Sequence, residues 1–156
     1  MNNDRRKILK GAGAAGMVTV AVAAGLLKPG AVWAAGWNKA AFDAKDMAGA
    51  LAGVGGAGAA ENGQITVKAP DIAENGAVVP VEVISAIPGT EHIIILAEKN
   101  GFPLIADFGL SNGAEGYVST RIKMGATSNV RAVVKAGGKI YTASKEVKVT
   151  IGGCGG

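Results

Sequence analysis

The residue best suited to chemistry is Cys154, the only cysteine of the 156-residue chain. It lies in the sequence GGCGG at residues 152–156, where no neighbouring side chain can pack against a folded domain. We therefore predict a flexible C-terminal segment, called the arm, whose glycines are Gly152, Gly153, Gly155 and Gly156. The three steps from Ile151 to Cys154 let the thiol reach about 10 Å beyond the last predicted strand. This geometry is typical of a group that is delivered into the site of another protein.

Catalysis by Cys154 itself is not expected. A cysteine nucleophile normally needs a base that a third group holds in place, and a glycine segment holds nothing in place. The only histidine, His92, begins an apolar stretch, which favours a half-buried strand position over the role of a general base. We therefore predict no catalytic residue. One Cys and one His also argue against a metal site, so we expect no cofactor of the protein's own.

A helix and a connector are predicted before the main domain. Met47, Leu51 and Val54 have the i, i+4, i+7 spacing of one helical face, which predicts one short amphipathic helix. The glycine-rich stretch at residues 53–58 cannot continue a helix at low cost and is predicted to be a connector. We assign residues 35–64 to this helix and connector.

The domain that must carry the arm is predicted to consist of β-strands. Short β-branched segments separated by turn residues recur from Ile65 onward, a pattern typical of an all-β sandwich or barrel. We predict an immunoglobulin-like β-sandwich of seven strands over residues 65–151, without a cysteine pair between its sheets. The predicted strands are residues 65–69, 78–87, 92–98, 104–108, 117–124, 130–135 and 139–151.

Two predicted strands lack the alternation of apolar and polar residues that is typical of a strand with one solvent-exposed face. Residues 93–96 read Ile-Ile-Ile-Leu, and residues 78–81 read Val-Val-Pro-Val. Both faces of these strands therefore need a cover. In one account the second face is covered by the N-terminal helix or a loop of the same chain. In the other account it is an apolar patch that binds a partner subunit.

The N-terminus is typical of an export signal. Arg5 and Arg6 precede an uncharged segment, residues 11–27, that is rich in Gly and Ala. This segment is shorter than the roughly 20 residues of a membrane span. Adjacent arginines before a weakly apolar segment are typical of a twin-arginine (Tat) signal, which exports folded proteins. We predict cleavage after Ala34, so that residues 1–34 are the signal; an uncleaved anchor helix is the alternative.

The positive charge of the chain lies in this predicted signal. The whole chain has 16 Lys and Arg against 12 Asp and Glu, a formal net charge of +4. Residues 1–34 hold five basic groups and one acidic group, which accounts for the whole surplus. The remainder is formally neutral and has few aromatic residues, so it lacks the features of nucleic-acid binders. We expect a periplasmic protein without nucleic-acid partners and without stable membrane insertion.

Several of these segments together resemble the SoxY family of the Sox system, which oxidises thiosulfate. The resemblance rests on Arg5 and Arg6, on the stretch PDIAENGAVVPVEV at residues 70–83, and on residues 119–156, which end in GGCGG. It covers residues 37–156, and it departs from the family at no position of GGCGG. A glycine-rich cysteine tail alone would be less specific than this combination.

The resemblance implies a carrier that is not itself an enzyme. It implies an immunoglobulin-like subunit that pairs with SoxZ and carries sulfur intermediates on Cys154. The haem enzyme SoxXA would conjugate thiosulfate to this thiol as a cysteine S-thiosulfonate, and the metal hydrolase SoxB would release sulfate. The remaining sulfane, a cysteine persulfide, would be oxidised by SoxCD where that enzyme exists. The adducts on Cys154 would be the only groups that the protein carries.

Other interpretations of Cys154 remain. The thiol could be incidental, or it could form an intermolecular disulfide in a structural periplasmic β-sandwich protein that dimerises. A C-terminal Gly-Gly also resembles ubiquitin-like sulfur carriers, which are activated by adenylation at the terminal carboxylate; export argues against that class because adenylation needs cytosolic ATP. A stand-alone redox enzyme is a poor fit because the chain has no Cys-x-x-Cys motif.

Overall fold

Two short helices come first in the part of the chain that the structure describes. The computed structural model of the protein describes residues 36–150. Helix α1 is Lys39–Phe42 and helix α2 is Met47–Gly53. The side chains of Asn38 and Asp46 each accept a hydrogen bond from a backbone N–H of the helix that follows. Two helices are thus present where one was predicted: α2 contains Met47 and Leu51 of the predicted helical face, whereas α1 was not predicted. Within residues 36–150, no helix is long and apolar enough to cross a membrane.

The strands of residues 36–150 are nine in number. The seven longer ones confirm the seven predicted strands, with ends that differ by a few residues. The two additional strands, β1 and β3, have two residues each and were not predicted. The strands are β1 Ala60–Glu61, β2 Ile65–Lys68, β3 Ile72–Ala73, β4 Val79–Ser85, β5 Thr90–Ala97, β6 Leu104–Gly109, β7 Tyr117–Ile122, β8 Ser128–Ala136 and β9 Lys139–Val149.

These strands form two sheets. The smaller sheet has the order β2-β4-β7, and the larger sheet has the order β9-β8-β5-β6, all antiparallel. The outer edge of β9 pairs in parallel with β1 near one end and with β3 near the other. Among the seven longer strands, the first, second and fifth thus face the third, fourth, sixth and seventh. This is an immunoglobulin-like sandwich in which the fourth strand pairs with the third, and it confirms the predicted fold class.

Aliphatic side chains fill the space between the two sheets. β4 contributes Val79, Val81 and Val83 at alternate positions, and β5 contributes Ile93 and Ile95. All five are fully buried. Alternate residues of a strand point to the same face, so each strand supplies a row of side chains to the core. Close packing of these rows holds the sheets together where other sandwich proteins use a disulfide.

The second face of residues 93–96 is covered by the helices. Ile94 and Leu96 point away from the sandwich core and pack in a second cluster with Ala41, Ala50 and Val54, which belong to α1, α2 and the end of α2. Ile94 and Leu96 are fully buried there. The structure therefore supports the first account given above, in which the N-terminal helices of the same chain cover this face. Residues 93–96 are therefore not a partner surface.

The second face of residues 78–81 is different. Val79 and Val81 lie in the core, but Val78 is 55% exposed and Pro80 is also exposed. No helix packs against this side of β4 in the described clusters. For Val78 and Pro80, contact with a partner subunit therefore stays a prediction.

Candidate functional site

The predicted site residues follow directly after the last described residue. Cys154 and the four glycines Gly152, Gly153, Gly155 and Gly156 lie outside the described residues, which end at Thr150. Cys154 is four steps along the chain from Thr150, and an extended chain spans at most about 14 Å over that length. The surroundings of Thr150 therefore decide from which part of the domain the thiol is presented.

One edge of β9 is held by a segment that comes much earlier in the chain. The N–H of Lys148 donates to the carbonyl of Asp71 at 3.0 Å, and the N–H of Thr150 donates to the carbonyl of Ala73 at 3.1 Å. The hydroxyl of Thr150 also donates to the carbonyl of Glu74 at 2.9 Å. β3 thus pairs with the end of β9 along its whole short length.

The opposite edge of β9 is held by a side chain. The N–H of Val149 donates to Oγ1 of Thr127 at 2.9 Å, beyond the point where the ladder with β8 stops at Val147. The Lys145 ammonium lies 3.0 Å from the Asp71 carboxylate, but Asp71 is 89% exposed, so this ion pair adds little. Residues 148–150 are therefore hydrogen-bonded along both edges, and the arm has a fixed base at Thr150.

The segment beside this base is the one that carries part of the family resemblance. Residues 71–76 run along the end of β9 and then turn into β4. Oδ1 of Asn75 accepts a hydrogen bond from the N–H of Ala77 at 2.8 Å, and the carbonyl of Gly76 accepts one from Met124 at 2.7 Å. No structural role was predicted for this segment from the sequence. A two-residue parallel strand has no periodicity that could reveal its partner.

Two further loops lie at the same end of the sandwich. The Asn100 side chain donates to the carbonyl of Lys123 at 2.7 Å and accepts from the N–H of Gly125 at 2.9 Å, which ties the β5–β6 loop to the β7–β8 loop. We call this surface the arm end. It is composed of residues 71–78, 98–103, 123–127 and 148–150.

His92 lies away from the arm end. It is near the start of β5, whereas the arm end is formed beyond the last residues of that strand. Its Nδ1 is 2.8 Å from Oδ1 of Asp107, and its side chain is 39% exposed. The predicted half-buried strand position is confirmed. Within residues 36–150, no three His, Cys, Asp or Glu side chains lie close enough together to hold a metal ion.

Fold and site together define a class: an immunoglobulin-like β-sandwich with its one cysteine on a glycine-rich segment a few residues after the last strand. Comparison with known families identifies a member of that class. The model of the family described as "Sulfur oxidation protein SoxY" matches residues 51–154, a range that reaches Cys154 itself. The chain belongs to the SoxY family.

A solved structure supports this assignment. The chain is 46% identical to the sulfur carrier protein SoxY from Chlorobium limicola f thiosulfatophilum. The similarity covers 65% of this chain and 94% of that one, with a TM-score of 0.59. The comparison with curated proteins returns no match.

Proposed function

We propose that the protein is a covalent carrier of sulfur intermediates on Cys154 during the oxidation of thiosulfate to sulfate in the periplasm. The observation that carries this proposal is the family match, which extends over the sandwich and ends at Cys154. The similar protein from Chlorobium is itself described as a sulfur carrier. The hydrogen bonds along both edges of residues 148–150 are consistent with an arm that moves from a fixed base.

The proposed chemistry needs only a thiol from this chain. In conjugation, the Cys154 sulfur forms an S–S bond with the outer sulfur of thiosulfate; the thiol proton and two electrons leave, and the electrons pass to the haem enzyme SoxXA. In release, SoxB adds water across the bond between the outer sulfur and the sulfone. Sulfate departs and a cysteine persulfide remains. SoxCD would then take six electrons from that sulfane sulfur while three waters supply the oxygens, which gives a cysteine S-sulfonate. A second hydrolysis would release sulfate and restore the thiol.

The proposed partners are one stable subunit and several enzymes that bind transiently. SoxZ would form the heterodimer, and SoxXA, SoxB and SoxCD would bind the arm in turn. The burial of residues 93–96 under the helices means that the heterodimer contact is expected elsewhere on the domain. Small glycines next to Cys154 would let the thiol enter narrow active sites in which larger side chains would clash.

The test is the mass of the C-terminal peptide after the exported protein is incubated with thiosulfate, SoxXA and SoxB. We expect an S-thiosulfonate adduct on Cys154 with SoxXA alone and a persulfide after SoxB is added. The Cys154→Ser variant, which keeps the size of the side chain, should show neither adduct. A sulfur adduct on the Gly156 carboxylate would contradict the proposal. So would a protein recovered only as a Cys154 disulfide dimer on non-reducing electrophoresis, which is the result expected for a structural dimer.

A further inference from the structure

We infer that the arm end is a docking surface for the enzymes that act on Cys154, with Ile72, Val78 and Phe102 as its apolar contacts. This inference rests on the proposed function. The three side chains are 58%, 55% and 53% exposed, although they are large and apolar. They come from three separate places in the chain, and hydrogen bonds and strand pairing bring all three to the arm end.

The strand registers show that these residues share one end of the sandwich. Ile72 pairs with Lys148 on β9, two residues before the base of the arm. Val78 immediately precedes β4, whose first residue pairs with the last residue of β7. Phe102 lies in the β5–β6 loop, which Asn100 ties to the β7–β8 loop. All three residues therefore lie at the same end of the sandwich as the point where the chain leaves β9.

The length of the arm requires contact between an enzyme and this end. Cys154 can lie at most about 14 Å from Thr150, and the base at Thr150 is held at both edges of β9. An enzyme that takes the thiol into a pocket below its surface uses most of that length inside the pocket. The rim of the pocket must then meet the arm end. Any enzyme that acts on Cys154 is under the same constraint.

The composition of the arm end fits a partner with apolar side chains around its active-site opening. Exposed charged residues of both signs share the arm end with the apolar positions: Asp71, Glu74, Lys99, Lys123 and Lys148. An apolar centre with a polar rim is the usual anatomy of a protein interface. Because acidic and basic residues are both present, the arm end does not favour a partner with a strong charge of one sign. Burial of the three apolar side chains would supply most of the binding free energy.

The experiment measures conjugation of thiosulfate by SoxXA at varied concentrations of the carrier in complex with its partner subunit. The variant Ile72→Ser/Val78→Ser/Phe102→Ser is compared with wild type and with Tyr117→Ser. Tyr117 is a matched control because it is 46% exposed and lies at the start of β7, at the opposite end of the sandwich. We expect the triple variant to raise KM for the carrier about tenfold or more while kcat stays unchanged. The control should stay within about twofold of wild type.

Two additional measurements distinguish a loss of docking from a loss of folding. The rate at which Cys154 reacts with a small disulfide reagent should be the same in all variants, because that reaction needs no docking. The double variant Val78→Ser/Phe102→Ser leaves β3 intact and should still raise KM, which keeps the test valid if the triple variant unfolds. An unchanged KM in both variants would overturn the docking surface. The docking surface would also be overturned if the variants lost the partner subunit on gel filtration, because the three apolar residues would then belong to the subunit interface.

Failure of the docking surface can be distinguished from failure of the proposed function. A wild-type protein that takes up no adduct under any condition would overturn both. A wild-type protein that forms the adduct with the same KM as the variants would overturn the docking surface alone. If instead the variants lower kcat with KM unchanged, Ile72, Val78 and Phe102 do not contribute to binding and the inference is wrong.

Discussion

Thr127 is the side chain that completes the base of the arm. Its Oγ1 accepts the hydrogen bond of Val149 at 2.9 Å, where the pairing of β9 with β8 has already stopped. The N–H of Thr150 is bonded on the other edge, to Ala73. A strand held at one edge only frays more readily, because its terminal residues lose fewer bonds on opening. The hydroxyl of Thr127 therefore helps to hold the last residues of β9 in place.

We expect Thr127→Val to loosen this base without unfolding the domain. Valine keeps the shape of threonine but has no acceptor, so the N–H of Val149 loses its partner at a cost of about 1 kcal/mol. Hydrogen exchange at the Val149 amide should become about fivefold faster, while exchange in the middle of β8 stays unchanged. Thr66→Val, at an exposed position of β2, is the control. Equal exchange rates at Val149 in both variants would show that Thr127 does not hold the strand.

At the scale of elements, the two helices cover the face of the larger sheet that points away from the sandwich core. α1 and α2 meet closely at Gly53, where an added Cβ would lie 2.6 Å from Cβ and 2.8 Å from Cα of Ala41. The Asn38 side chain also donates to the carbonyl of Gly53 at 2.8 Å. Because the close neighbour includes backbone, it cannot move aside as a flexible side chain would. Glycine at position 53 therefore allows the helices to lie together over Ile94 and Leu96.

We expect Gly53→Ala to destabilise the domain. Overpacking at this contact should cost about 1–3 kcal/mol, which exceeds the gain of about 0.8–1 kcal/mol that alanine brings to a helix. The net loss should be up to about 2 kcal/mol in the free energy of unfolding, measured in urea. Gly63→Ala is the control, since an added Cβ there meets nothing within 4 Å. If the two variants were equally stable, the helices would not need the close approach at Gly53.

At the scale of the whole molecule, the surplus of positive charge lies outside the described residues. The net charge of +4 is accounted for by residues 1–34. The helices and strands described above all belong to the compact unit that begins at Asn38. Residues 35–156 are formally neutral, so their net charge would give the proposed carrier no long-range attraction to its proposed partners, and contact surfaces such as the arm end would have to provide the affinity.

We expect the exported protein to begin at Ala35. Its intact mass should equal that of residues 35–156, because the small residues Val32 and Ala34 precede the predicted cleavage point. Protein produced without export should keep the mass of the full chain and serves as the reference. An exported protein that still contains residues 1–34 would support the alternative of an uncleaved anchor helix.

The strands of the sandwich were predictable because their signal is local. Each longer strand is a β-branched segment between turn residues, and this pattern needs no knowledge of the pairing partner. The additional strands β1 and β3 were not predictable, because each has two residues and exists only where β9 offers a free edge. Helix α1 was missed for a similar reason, since its four residues are too few to show a helical periodicity.

The sequence by itself determined the strands, the family resemblance and the position of the single cysteine, because each of these depends on residue type and short-range spacing. Only the tertiary structure decided that residues 71–74 flank the end of β9, that the helices bury Ile94 and Leu96, and that Ile72, Val78 and Phe102 share one end of the sandwich. These contacts join residues far apart in the chain. They follow from how the sheets pack, which no local pattern encodes.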